Sequence, residues 1–374
     1  MNDYNEIEVI NLNNYIMPSS IPYLGSKYIL NGINHSFFQY IKERYYGSPT
    51  NASIINSYVN YIIGEGLVEK SGFNINRYIS KKDLRLICQD YKIYGQFSIQ
   101  VIWSQGSKLL KQEPRPIQFK HINTERIGLS LGKDGKVDSY WYCFDWKFQG
   151  RYRPTLYPKF TGEYTGNDVE IINFSRISSE PYYPQPDYIS GLQWSQVEEE
   201  LSNSAINHVL NGFSAGKIIN CRGGVPPTEE LREAYKNKII EKLPGSSNKN
   251  KAIVNFSNGL DAGSDIEVTN LQIDQLDAQL VYFSTEAQTK LLMAHSVVNP
   301  ILFGIKDATG LGNNADEMNQ ALKTLYRSNI NPMREVIIDA LEWLLSFSED
   351  NLSLEFKDFE ELTVVDEPKN DIVK

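Results

Sequence analysis

YKIYGQFSIQVIW, residues 91–103, changes its period in the middle. Ahead of the change, Leu84, Ile87, Tyr91 and Tyr94 recur three or four residues apart, the spacing of one helix face. Ser80 caps that helix, with Asp83 three residues on where a capping-box acid belongs, and Gly95 stops it. Beyond Gly95, Phe97, Ile99, Val101 and Trp103 alternate and share one face of a strand. A capped helix that runs straight into a strand marks a mixed α+β chain.

Working outward, strands are expected at 116–122, 126–131, 136–146 and 168–174, with Asp134-Gly135 as a hairpin turn and 147–167 as a loop rich in Gly, Pro and aromatics. Asn51–Ile63 reads as a helix ended by Gly64 and Gly66, and residues 1–47, with Pro18, Pro22, Gly25 and Gly32, read as an irregular arm. Pro186-Asp187 opens a long helix, 187–211, with Asp187 as its cap and Ile189, Leu192, Val197, Leu201, Ile206 and Leu210 as core candidates. Thr228 caps a helix over 229–243, whose Leu231, Tyr235, Ile239 and Leu243 mark a buried face. Strands at 252–256 and 266–271 precede helix 275–296, striped by Leu276, Leu280, Phe283, Ala287, Leu291 and Ala294. Helices 314–329 and 332–347 follow, with Pro332 in the first turn of the second, and 348–374 is an acidic tail, frayed at its end.

Of 374 residues, 41% are hydrophobic, enough for a sizeable core, and no run approaches 18 apolar residues, so no membrane span is expected. The polar, acidic start lacks a secretory signal. Three widely spaced cysteines, Cys88, Cys143 and Cys221, fit a reducing cytoplasm. A net charge of −9 argues against a tight grip on nucleic-acid phosphates.

The inventory of chemistry is short. His35, His121, His208 and His295 have no second His or Cys at metal-ligand spacing. No Gly-x-Ser-x-Gly elbow and no Gly-Lys-Ser/Thr phosphate loop occurs, and Gly304–Gly312 (GIKDATGLG) follows a helix and reads as a loop. Catalytic residues, a metal site and a cofactor are therefore not expected, and the role reads as structural or mechanical. Charge is unevenly placed: Arg222, Arg232, Lys236, Lys238, Lys242, Lys249 and Lys251 fall within 220–255, whereas 257–286 holds six acids and no Lys or Arg. This is either ordinary solvated surface or a basic band beside an acidic band along one passage.

The order of these elements resembles the portal proteins of long-tailed bacteriophages over roughly residues 50–347. The phrases that carry it are YKIYGQFSIQVIW (91–103), DVEIINFSR (168–176), PQPDYISGLQWSQVEEELSNSAINHVLNG (184–212), MAHSVVNPILFGIKDATGLGNNADEMNQAL (293–322) and Asn331-Pro332. Asn299-Pro300 departs from the family's Val-Pro step. The resemblance implies an α+β fold with wing, stem, clip and tunnel loop and a small or absent crown. It divides the chain into arm and wing (1–186), stem helix (187–213), clip (214–256), stem return with tunnel loop (257–278), and wing, C-terminal helices and acidic tail (279–374).

It further implies a non-enzymatic homo-oligomeric ring, a dodecamer, at one vertex of a virion, assembled in the host cytoplasm. Double-stranded DNA passes through such a ring during packaging and ejection, and terminase, a head-tail adaptor and the major capsid protein are its partners. On this mapping Glu267, Gln272, Asp274, Gln275 and Asp277 are tunnel-lining candidates, although Asp274 also suits a cap on helix 275–296. Arg222, Lys236, Lys238, Lys242, Lys249 and Lys251 are clip candidates for contact with a protein partner or with DNA. Glu198, Glu199, Ser202 and Asn203, on the polar side of the long helix, are ring-interface candidates. Two other readings compete. A head-tail ring adaptor is disfavoured by the chain's length and mixed pattern. A nucleic-acid-processing enzyme is disfavoured by the lack of a recognisable phosphate loop or acidic metal cluster.

Overall fold

The computed structural model describes residues 18–24, 27–106, 113–180, 182–210, 216–221, 226–242, 252–256, 266–271, 276–305, 315–349 and 352–359. The chain divides into two compact units, Met1–Gln193 with Leu291–Lys374, and Trp194–Lys290.

In the first unit the change of period at Gly95 is realised. Helix α1 (Ser36–Gly47) and helix α2 (Pro49–Ile63) precede helix α3 (Lys81–Tyr94). Ser80 Oγ accepts from the Asp83 N–H at 3.1 Å, and Gly95 closes α3 in the left-handed conformation, φ 73°. The chain then enters β4 (Gln96–Trp103), the centre of a three-stranded antiparallel sheet between β5 (Pro116–Ile122) and β9 (Val169–Ser175). Phe97, Ile99 and Val101 are fully buried on β4. Helix α2 contributes Ile54, Ile55, Tyr58, Val59 and Ile62 to the core.

A second sheet has the order β1-β2-β6-β7-β8: β1 (Pro22–Leu24), β2 (Ile29–Asn31), β6 (Ile127–Leu131), β7 (Val137–Tyr142) and β8 (Thr155–Pro158). The arm expected over 1–47 is therefore corrected where it is described. It holds two strands and helix α1, whose Phe37, Phe38, Tyr40 and Ile41 are buried. The Pro and Gly residues ahead of α1 mask a good stripe. The loop expected over 147–167 contains β8, a short edge strand flanked by prolines and thus quiet in sequence. The tail at 348–374 likewise contains β13 (Leu354–Lys357), antiparallel to β3 (Gly66–Glu69).

Helix α7 (Ala315–Leu325) continues through a π-turn, Tyr326–Ile330, into helix α8 (Asn331–Leu345), with Pro332 in the first turn of α8. Buried Arg334 on α8 donates to the Ile62 and Tyr61 carbonyls at 2.9 Å and to Asp358, tying α2 to the segment after β13.

The second unit contains most of helix α4 (Leu192–Leu210), a three-stranded sheet and helices α5 (Glu229–Lys242) and α6 (Leu276–Ala294). In that sheet β10 (Gly216–Cys221) is central, parallel to β11 (Ala252–Phe256) and antiparallel to β12 (Ile266–Leu271). Helix α5 lies on the crossover that the parallel pair requires. Strand β10 is an addition to the elements read from the sequence, since its apolar run, Ile218-Ile219, is only two residues long. Among the described residues no helix is long and apolar enough to cross a membrane.

Candidate ring-forming and channel surfaces

The entry to α4 is built around a buried lysine. Lys92, on the last turn of α3, directs its ammonium to Asp187 at 2.8 and 3.0 Å and lies 4.1 Å above the Tyr58 ring. Asp187 is thereby an ion-pair partner and not the helix cap expected; a 3-10 turn, Ile189–Gly191, leads into α4 instead. His295, just past α6, stacks on Tyr188 at 4.4 Å and holds Asn51 Oδ1 at 2.8 Å through Nε2. Tyr58 Oη donates to the His295 carbonyl at 2.7 Å, and Asn329 Nδ2 donates to Tyr58 Oη at 2.9 Å. Burial lowers the Lys92 pKa, which the Asp187 charge partly restores, and burial with the nearby Lys92 charge holds His295 well below its ordinary value. A cleft beside the pair is lined by Lys92, Arg176, Asp187, His295 and Asn329. This cluster went unread in the sequence; its only local sign is a lysine inside the apolar run YKIYG.

Burial grades along both long helices, α4 and α6. On α4, Leu192 and Ser195 are buried, Glu198 and Glu199 half-buried, and Ser202 and Asn203 exposed. Further along, Ile206 stands 58% exposed, against its expected core position, and Val209 is exposed too. On α6 the order is reversed: Val281 is 66% exposed, Tyr282 and Phe283 are exposed, and Ala287 and Leu291 are buried. Phe283 therefore leaves the buried stripe expected of it. Leu231 and Tyr235 on α5 are exposed as well, so these two of the four residues read as a buried face meet solvent in the single chain. Amphipathic spacing identifies a face that wants cover, but not whether the cover comes from the same chain.

Among the clip candidates, Lys236, Lys238 and Lys242 lie on α5, and Lys238 is exposed. Arg222, Lys249 and Lys251 lie outside the described residues. Among the channel candidates, Glu267 is the second residue of β12, opposite Asn220 of β10, and Asp277 is in the first turn of α6. Gln272, Asp274 and Gln275 lie outside the described residues. Among the described residues no three His, Cys, Asp or Glu gather as a metal site, and Cys88, Cys143 and Cys221 are free and buried.

No protein-family model and no curated protein sequence matches the chain. Solved structures do. A chain in the neck of the native gene transfer agent particle, computed with C12 symmetry, superposes with a TM-score of 0.56 at 15% identity, over 91% of this chain and 86% of that one. A chain in the virion of the native gene transfer agent particle gives 0.55 at 15% identity, over 92% and 87%. An HK97-family phage portal protein from Corynebacterium diphtheriae gives 0.47 at 11% identity, over 84% and 94%. At such identities the likeness is one of fold: over nine-tenths of its length the chain has the α+β architecture of a subunit of the gene transfer agent particle, in keeping with the phage-portal order of elements that its sequence resembles.

Proposed function

We propose that the chain is the subunit of a portal ring at one vertex of a tailed-phage or phage-like particle, the passage for double-stranded DNA during packaging and ejection. The observation that carries this reading is the match over nine-tenths of the chain to a subunit of a twelve-fold symmetric neck. The exposed apolar faces of α4 and α6 support it, because a closed ring needs two different complementary faces on each subunit. On this reading the ring is a dodecamer and works without catalysis. The basic stretch around α5 meets terminase, a head-tail adaptor or DNA, and the segment with Asp274 and Asp277 lines the narrowest passage. The first unit abuts the major capsid protein.

Negative-stain imaging and mass photometry of the purified chain test it. Closed rings near twelve times the 42.7 kDa subunit mass, with a hole wide enough for duplex DNA, are expected. Monomers that persist at high concentration and in the presence of capsid protein would refute it.

A further inference from the structure

The loop between β7 and β8 reads FDWKFQGRYR, residues 144–153: four aromatic residues and three cations against one carboxylate, in a chain of net charge −9. Its rings and cations are interleaved in space. The Arg126 guanidinium lies over the Phe144 ring at 4.3 Å, Phe144 meets Tyr152 at 5.0 Å, and the Arg151 guanidinium lies over Tyr152 at 5.4 Å. Lys147 approaches Phe148 at 5.8 Å. Phe144 and Phe148 are 53% and 54% exposed, although both could have been polar on so open a surface.

The loop is held firmly from beneath. Trp146 is buried, packed with Leu30 and Cys143 and edge-on to Tyr28 and His35. The Cys143 thiol reaches the Asp145 carbonyl at 3.2 Å and the Tyr152 carbonyl at 3.0 Å, fastening both limbs. Asp145 is occupied as an acceptor for the Lys147 N–H at 2.9 Å, and neighbouring Glu125 is paired with Lys42 at 2.6 Å. Glu125 is thus offset by a cation, whereas Asp145 and Glu43, which accepts from Gln39 at 3.3 Å, keep their charge and leave the loop itself with three cations against one carboxylate.

We propose that this loop is a nucleic-acid-binding surface, with single-stranded DNA as its preferred ligand. Lys147, Arg151 and Arg153 meet phosphates, and exposed Phe144 and Phe148 stack with bases. Ring faces next to cations are the pairing that binds single strands irrespective of sequence. A duplex would use the cations but gain nothing from the rings, because its bases are already stacked. An acidic peptide offers charge but no flat partner for the phenyl groups. The patch shares no residue with those assigned to a channel, and the inference does not depend on ring formation.

Fluorescence anisotropy with a labelled oligo-dT, a duplex of equal length and a poly-glutamate peptide, on the full chain, tests it. Oligo-dT should bind best, and Lys147→Gln/Arg151→Gln/Arg153→Gln should flatten the salt dependence by about 2 in log–log slope. Phe144→Ala and Phe148→Ala should each weaken oligo-dT binding about tenfold and leave duplex binding unchanged. Circular dichroism and thermal melting of these surface variants verify folding, and Arg151→Lys, which keeps the charge, should retain most of the affinity. Equal binding of wild type and the triple variant, or a preference for poly-glutamate or for duplex, would overturn the proposal.

Discussion

The Lys92 ammonium is buried against Asp187 at 2.8 Å while Asp187 itself remains 31% exposed, so the pair joins the core of the first unit to the turn that launches α4. Removing one partner and removing the charge altogether should differ. Asp187→Ala leaves an ammonium without its counter-ion under the Tyr58 ring and should cost about 2 kcal/mol, below the usual range for a fully buried pair because Asp187 is partly solvated. Lys92→Met fills the same space without charge and should cost less. Chemical denaturation of both variants measures the difference; an equal or larger loss for Lys92→Met would show that the pair itself stabilises the fold.

His35 should make the protein sensitive to acid. Burial lowers its pKa to about 3 from 6.5. Its Nδ1 accepts from the Asn31 N–H at 2.9 Å, which requires an unprotonated nitrogen. The folded state therefore binds fewer protons than the unfolded chain between these two values, and stability falls as pH drops through that window. The slope for one such histidine is roughly 1.4 kcal/mol per pH unit. His295, also held neutral by burial, acts in the same direction. His35→Asn, which tolerates the left-handed backbone at φ 59°, should flatten the profile of denaturation midpoint against pH.

Gly64 ends α2 at φ 54°, and a Cβ there would come within 2.0 Å of the Lys357 carbonyl oxygen on β13. Gly64→Ala should separate β13 from β3 and cost more than the ~1 kcal/mol of backbone strain alone. Gly72→Ala is the matched control: φ is +89°, yet its Cβ would meet open space. A denaturation midpoint lowered equally by both variants would mean that strain, and not the strand pair, accounts for the effect.

If the apolar faces of the second unit are the contact between subunits, Val281→Ser and Phe283→Ser should shift rings toward monomers in mass photometry. Their melting as monomers should be little changed, because neither side chain is buried in the single chain. Glu199→Lys on half-buried α4 should weaken rings in the same assay. Rings of unaltered stability in all three variants would remove these helices from the interface.

A passage for DNA should be lined so that phosphates are not held, since affinity grows with the number of cations offered. Asp274→Lys/Asp277→Lys should slow packaging and reduce DNA release in assembled particles, with the effect shrinking as salt rises. Asp274→Asn separates the channel reading from the capping reading, because Asn removes the charge and caps nearly as well as Asp. Lys236, Lys238, Lys249 and Lys251 changed together to Gln should weaken docking of terminase or adaptor, or contact with DNA. Binding assays with each partner identify which of the three is touched.

What the sequence determined by itself is what neighbouring residues decide among themselves. Ser80 and Gly95 bound α3, alternation from Phe97 to Trp103 makes β4, and Pro332 begins α8, because caps, turns and periodicity act over a few residues. The order of those elements was enough to resemble the portal proteins of long-tailed bacteriophages. Tertiary structure alone decided the rest. Strands β8, β10 and β13 exist because partners distant in sequence supply their hydrogen bonds, and β10 takes one parallel and one antiparallel neighbour. Lys92 finds Asp187 across 95 residues, and Leu231 and Tyr235 on α5 and Phe283 on α6 are exposed in the single chain where periodicity implied a core. Hydrophobic spacing fixes which face of a helix seeks cover, whereas the chain's long-range folding, and its meeting with other copies, decides what covers it.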